Sequence, residues 1–298
     1  MPIDIGTPAR MAPGFAEPEM LLDWTVDGED GIRRRAFLYH PGGKAPVPLV
    51  MAPHPFGFTA LGSMFGEPAG PRTLCDVPGI APAARRAGAA ALVIQSEGRR
   101  YTGMSTGLPA QLTAYRDALR DAVDAGLPID INRVVAAGLS MGGQESLLLA
   151  ATLGDTVAAV AAQNPVTDPA AWYCHLAKGG AHHAHALRDE VGAEPELDPS
   201  AWSQRSPLAH VAALAGRGVP VQLRLNDVDN IVPAREQGRV FADALQQAGG
   251  IVEVVEDLPP LDDRDPGRSA HEHADWDAML QWLLSRSVAE HRTEAAAC

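Results

Sequence analysis

Arg133-Val134-Val135-Ala136-Ala137-Gly138-Leu139-Ser140-Met141-Gly142-Gly143, running on into Gln144 to Leu153, is the stretch whose reading decides the fold. Its β-branched residues and alanines, bounded by glycine, have the composition of a buried strand. Glu145, Ser146 and the apolar Leu147 to Ala151 after the turn have that of a helix. Ser140 sits on the corner between them. A sharp strand-to-helix turn strains its corner residue and brings the residues two before and two after it together. Both flanks must therefore be small, and both, Gly138 and Gly142, are glycine. A helix starting directly after the serine aims N–H groups and its positive dipole end at any negative oxygen formed there. Such a pentapeptide also arises by chance, and the strand before it and the helix after it are what give it meaning.

Working outward, residues 49–53, 90–95 and 157–162 are further short apolar runs of the kind buried on both faces of a parallel sheet. Upstream, residues 20–26 and 33–40 flank Asp27-Gly28-Glu29-Asp30-Gly31, a turn-rich link that predicts an antiparallel hairpin at the sheet edge. Residues 110–125 place Leu112, Tyr115, Leu119, Ala122 and Val123 on one helical face and stop at Gly126. Residues 219–225 and 250–255 read as the last two strands. They are joined by a helix from Pro233 with Val240, Phe241, Ala244 and Leu245 facing inward. A closing helix over 275–286 buries Trp276, Met279, Leu280, Leu283 and Leu284. This alternation predicts an α/β fold with an eight-stranded, mostly parallel sheet and helices on both faces.

With Gly138-Leu139-Ser140-Met141-Gly142 in this setting, the sequence resembles the α/β-hydrolase superfamily over roughly residues 20–286. The resemblance makes Ser140 the nucleophile at the superfamily's elbow. Residues 1–19, with four prolines and no apolar period, read as an N-terminal arm, and 287–298 as a C-terminal tail. The stretch from about 166 to 210 breaks the strand-helix rhythm, and long insertions in compact domains are usually functional. The resembled superfamily commonly inserts a cap here, which implies a small lid. Its Trp172, Tyr173 and Trp202 are candidates for substrate contact or for lid packing. The lid histidines His175, His182, His183 and His185 lack a carboxylate or cysteine at fixed spacing, so a solvated helix face or pocket wall is expected rather than a metal site.

A serine hydroxyl is a weak nucleophile at neutral pH. It needs a base within hydrogen-bond reach and a carboxylate to orient that base. After the strand Val221-Gln222-Leu223-Arg224-Leu225 come Asn226-Asp227-Val228-Asp229-Asn230-Ile231-Val232-Pro233, which resembles the superfamily's D-x-x-V-P arrangement. That favours Asp229 as the acid, with Asp227 in reserve. Ser269-Ala270-His271-Glu272-His273 lies after the last strand, where the Ser, Asp, His chain order puts the base. His271 is preferred and His273 competes. His40, His210 and His291 lie outside this segment and read as surface or packing residues. For the oxyanion hole, Met141 supplies one N–H by position and the loop His54-Pro55-Phe56-Gly57-Phe58 the other. The superfamily commonly has His-Gly there. Pro55 departs from it and has no N–H to give, which leaves Phe56 as donor. The loop also resembles the Pro-Tyr-Gly version of cocaine-esterase-like and dipeptidyl-peptidase-like relatives, but Phe56 lacks the tyrosine hydroxyl that helps them.

A length of 298 residues suits one large α/β domain. The formal charge of −13 disfavours nucleic-acid and anionic membrane partners. Cys75, Cys174 and Cys298 are scattered, which indicates reduced thiols. The start lacks a basic-then-apolar leader and no run has membrane-spanning length, so cytoplasmic residence is expected. The expected function is a serine hydrolase cleaving an ester, thioester or amide of a small acyl substrate through an acyl-enzyme, without metal or organic cofactor. An acyltransferase or cyclase on the same triad, or a non-catalytic ligand-binding member of the fold, are the alternatives. A dehalogenase would need a carboxylate at position 140.

Overall fold

Strands β1 (Met20–Asp27) and β2 (Arg33–His40) pair antiparallel with Met20 opposite His40. The hairpin is closed by Arg34, whose guanidinium grips Asp30 at 2.9 and 2.6 Å and holds that carboxyl down at about 2. This computed structural model describes residues 19–67, 77–96, 107–179, 183–256 and 266–287. The arm at 1–18, the tail from 288, His182, His291, Cys75 and Cys298 therefore lie outside the described residues.

Next come β3 (Val47–Met51), α1 (Ala60–Phe65), the two-residue strands β4 (Gly66–Glu67) and β5 (Val77–Pro78), α2 (Ile80–Ala87), β6 (Ala90–Ile94) and α3 (Leu108–Asp124). The central unit is β7 (Ile129–Leu139), α4 (Met141–Thr152) and β8 (Val157–Gln163). After it the chain forms α5 (Pro169–Lys178), α6 (His183–Val191), α7 (Pro199–Ser203), a 3-10 turn at Pro207–His210 and α8 (Val211–Gly216). It finishes with β9 (Val221–Arg224), α9 (Gly238–Gln247), β10 (Val252–Val255), α10 (Pro266–Glu272) and α11 (Trp276–Arg286).

The main sheet has eight strands among the described residues, in the order β1-β2-β6-β3-β7-β8-β9-β10. Pairing is parallel from β6 through β10 and antiparallel at β1–β2 and β2–β6. Alternation along β7 splits the core in two. Val134 and Ala136 pack with α3, α4 and α9, while Val135, Ala137 and Leu139 pack with α1, α2 and α11. Because β7 is central and its neighbours run parallel, the loops after β3, β7, β8 and β9 meet at one edge of the sheet, the usual place for ligands in such folds.

Several local expectations shift. α1 and α2 span six and eight residues, too short for a helical period to show in the sequence. Val123 and Val240, expected to face inward, are 37% and 43% exposed, and Ala244 and Leu284 are only partly buried. The helix expected from Pro233 begins at Gly238, because Pro233 to Gln237 form a turn. Gln237 explains the delay. Its buried carboxamide accepts from Thr167 and Asp168 N–H at 2.9 and 2.8 Å and donates to Asp168 O at 3.0 Å, and its backbone adopts φ −121°, ψ −91°. Among the described residues no helix is long and apolar enough to cross a membrane.

Candidate active site

Ser140 stands between β7 and α4 with φ 57° and ψ −122°, a left-handed conformation that costs a non-glycine residue about 1–3 kcal/mol. The surroundings over-determine it. Its N–H donates to Gln163 O at 2.9 Å and its carbonyl accepts from Gln144 N at 3.0 Å. The flanking glycines are needed sterically. A Cβ at Gly138 would lie 2.2 Å from the Gly142 carbonyl oxygen, and one at Gly142 would lie 2.3 Å from Pro53 O. Gly142 therefore lets the end of β3 and its following loop close on the elbow.

His271 Nε2 lies 2.9 Å from Ser140 Oγ, and His271 Nδ1 lies 2.7 Å from Asp229 Oδ2. The imidazole stands near the end of the short helix α10. Asp229 is enclosed, and its other oxygen, Oδ1, accepts the N–H groups of Ile231 and Val232 at 2.8 and 2.9 Å. With Oδ1 committed to the backbone, Oδ2 faces the imidazole. A carboxylate so placed holds the ring in the tautomer whose Nε2 can take the serine's proton.

The competing residues are elsewhere. Asp227 is half exposed and forks onto Arg239 at 2.9 and 3.0 Å. His273 offers its carbonyl to Gln163, and its Nδ1 meets no hydrogen-bond partner among the described residues. Burial pushes its pKa down, with Asp275 opposing and Arg224 adding to the effect. His40 is a buried packing residue whose Nδ1 accepts from Gly42 N at 3.0 Å, and burial lowers its pKa too. His210 lies at the end of the 3-10 turn.

Met141 opens α4 directly after Ser140, where helical geometry leaves its N–H without an intrahelical acceptor. Phe56 lies in a tight turn closed by Phe58 N donating to Pro55 O at 3.2 Å, with Gly57 at φ 75°. The neighbouring His54 is buried, with Nε2 2.9 Å from Ser96 Oγ and Nδ1 3.2 Å from Pro55 O.

Trp172, Tyr173 and Trp202 belong to an apolar cluster with Met141, Phe56 and Val232, so the insertion packs over the elbow. Trp172 and Trp202 are themselves buried. Their indole N–H groups donate to Ile231 O at 2.8 Å and Ala193 O at 2.9 Å, and Tyr173 leans on Trp202 at 5.2 Å between ring centres. Trp202 also borders a cavity of about 280 Å³ whose wall contains none of Ser140, Asp229 and His271. His175 faces Glu236 at 3.6 Å, His185 is exposed, and His183 opens α6. Among the described residues no group of three His, Cys, Asp or Glu side chains is placed to hold a metal ion.

Sequence reasoning passed over Gln163 and Asn164, whose side chains reach the segments carrying His271 and Asp229. The available signal was two carboxamides ending an apolar strand, directly before Pro165.

Residues 112–257, just under half of the chain, match the prolyl oligopeptidase family. The match includes Ser140 and Asp229 and ends before His271. No curated protein matches the sequence. Among solved structures, an acylaminoacyl peptidase of Pyrococcus horikoshii is similar at 14% identity and TM-score 0.65, over 90% of this chain and 42% of that one. A puromycin-hydrolyzing peptidase of Mycobacterium tuberculosis gives 20% identity and TM-score 0.64, over 93% and 41%. An S-formylglutathione hydrolase of Agrobacterium tumefaciens gives 15% identity and TM-score 0.63, over 92% and 97%. This chain thus spans about two fifths of the length of the two peptidases and nearly all of the third protein. What it shares with all three is the α/β-hydrolase fold.

Proposed function

We propose that this chain, a serine hydrolase of the α/β-hydrolase superfamily, cleaves an ester, thioester or amide of a small acyl substrate through an acyl-enzyme on Ser140. The observation that carries the reading is the unbroken run from Asp229 Oδ2 to His271 at 2.7 Å and from His271 to Ser140 Oγ at 2.9 Å. Ser140 Oγ attacks the acyl carbon while His271 Nε2 takes its proton. The tetrahedral oxyanion is held by the N–H groups of Met141 and Phe56, and His271 returns the proton to the departing group. Water, deprotonated by the same imidazole, then releases the acid and restores the serine. Asp229 stabilises the imidazolium in both halves of the cycle. None of these steps calls for a metal or an organic cofactor.

The insertion acts as a lid in this reading. Trp172 and Trp202 stiffen it, and the partly exposed Phe56 and Tyr173 offer an apolar wall to the acyl or leaving group. A non-catalytic binding role has no use for a base this close to a strained serine.

A fluorophosphonate probe tests the assignment directly. The wild type should be labelled and Ser140→Ala should not; labelling that survives the substitution ends the proposal. A rate panel of short-chain esters, long-chain esters and aminoacyl amides then defines the bond cleaved. Asp229→Asn should lower kcat on the best of them by on the order of 10⁴-fold, since the imidazole loses its orienting charge.

A further inference from the structure

We infer that the consecutive carboxamides Gln163 and Asn164, at the end of β8, are positioning residues that set His271 and Asp229 against Ser140. The inference rests on the catalytic reading of those three residues. The backbone of the pair is held between the strand that delivers the nucleophile and the strand that delivers the acid. Gln163 O accepts from Ser140 N at 2.9 Å, and Asn164 N donates to Arg224 O at 2.9 Å.

The two side chains bracket the base. Asn164 Nδ2 donates to the carbonyl of Ala270, directly before His271, at 3.0 Å. Gln163 Nε2 donates to the carbonyl of His273, two residues after it, and Gln163 Oε1 accepts from Asp275 N at 3.2 Å. Seven-residue α10 is thus tied to the sheet on both sides of the imidazole. Asn164 also holds the acid's loop. Its Oδ1 accepts from Asn226 N at 3.1 Å, and Asn226 in turn accepts from Asp229 N at its carbonyl and from Val228 N at its side chain, both at 3.1 Å.

One carboxamide therefore spans the segments of acid and base, groups 42 residues apart in the chain. It does so from φ 42°, the left-handed region, at 2% exposure. Asparagine tolerates that conformation better than most residues, but it remains strained, and such strain persists where surrounding contacts over-determine it. If the position served the backbone alone, glycine would suit it better. The side chain is what glycine cannot supply.

The test compares wild type with Asn164→Gly, which frees the backbone and removes both tethers, and with Asn164→Asp, which keeps shape and acceptor but replaces the donor facing Ala270 O. Circular dichroism establishes folding. The readouts are kcat and KM on the best substrate, the fluorophosphonate labelling rate, and the downfield proton resonance of the His271–Asp229 hydrogen bond, with Asp229→Ala as its blank. Both variants should keep KM within a few-fold, lose kcat and labelling rate by roughly 10- to 100-fold, and broaden or lose the resonance. A folded variant with wild-type kcat, labelling rate and resonance would overturn the inference alone. Should Asn164→Gly fail to fold, the isosteric Asn164→Asp decides. A wild type that is neither labelled nor shows the resonance would overturn the catalytic reading and this inference with it.

Discussion

At position 54 an imidazole is enclosed at 3% exposure, and Ser96 N donates to its Nε2 at 3.2 Å. A backbone N–H can only donate, so Nε2 is the acceptor and Nδ1 carries the proton toward Pro55 O. The ring thereby props the turn that presents Phe56. Burial lowers its pKa from 6.5 to about 4, outweighing the bond to Pro55. The folded value lies below the unfolded one, so between those two pH values the unfolded chain binds more protons. Stability is complete above pH 6.5 and falls as pH drops toward 4, by at most about 3 kcal/mol from this group. His40 and His273, also lowered by burial, act in the same direction. Urea unfolding across this range should show a shallower pH dependence in His54→Gln than in wild type. Identical slopes would remove His54 from the account.

At the scale of elements, the insertion packs on the loop that carries Asp229 and is also bonded to it through an indole. Trp172 on α5 donates to Ile231 O, while Ile231 N donates to Asp229 Oδ1. Trp172→Phe keeps an aromatic ring but deletes the donor, leaving the part-buried carbonyl of Ile231 short of a partner. The expected cost is about 1–3 kcal/mol in urea unfolding, with faster amide exchange at Ile231 and Val232. Unchanged exchange there would mean that the insertion does not brace the loop of Asp229. Elements were legible in the sequence where a period ran long enough. α3 and α11 declared themselves, whereas the start of α9 did not, because the contacts that hold Gln237 out of the helix come from Thr167 and Asp168, some 70 residues away.

For the whole molecule, a net charge of −13 sets a field that favours cationic over anionic substrates at long range. For otherwise matched esters, kcat/KM should fall with added salt when the substrate carries a positive charge and rise when it carries a negative one. Matching salt dependences would show that the charge is distributed away from the site's approach. The position of the site is itself a property of the whole sheet. Ser140 and His271 are 131 residues apart and meet because β8 lies beside β7 in the sheet and its end holds the segment around α10.

The chain alone determined the corner at Ser140 and the alternation of strand and helix. These depend on sterics and periodicity within a few residues: two glycines around a strained serine, and apolar runs of strand length. The tertiary structure decided which carboxylate and which imidazole stand beside that serine. It also buried Trp172 and Trp202 within the insertion and recruited Gln163 and Asn164. Those outcomes rest chiefly on hydrogen bonds and packing contacts between groups far apart in sequence, set by strand order and by competition for partners that a local pattern can suggest but not fix.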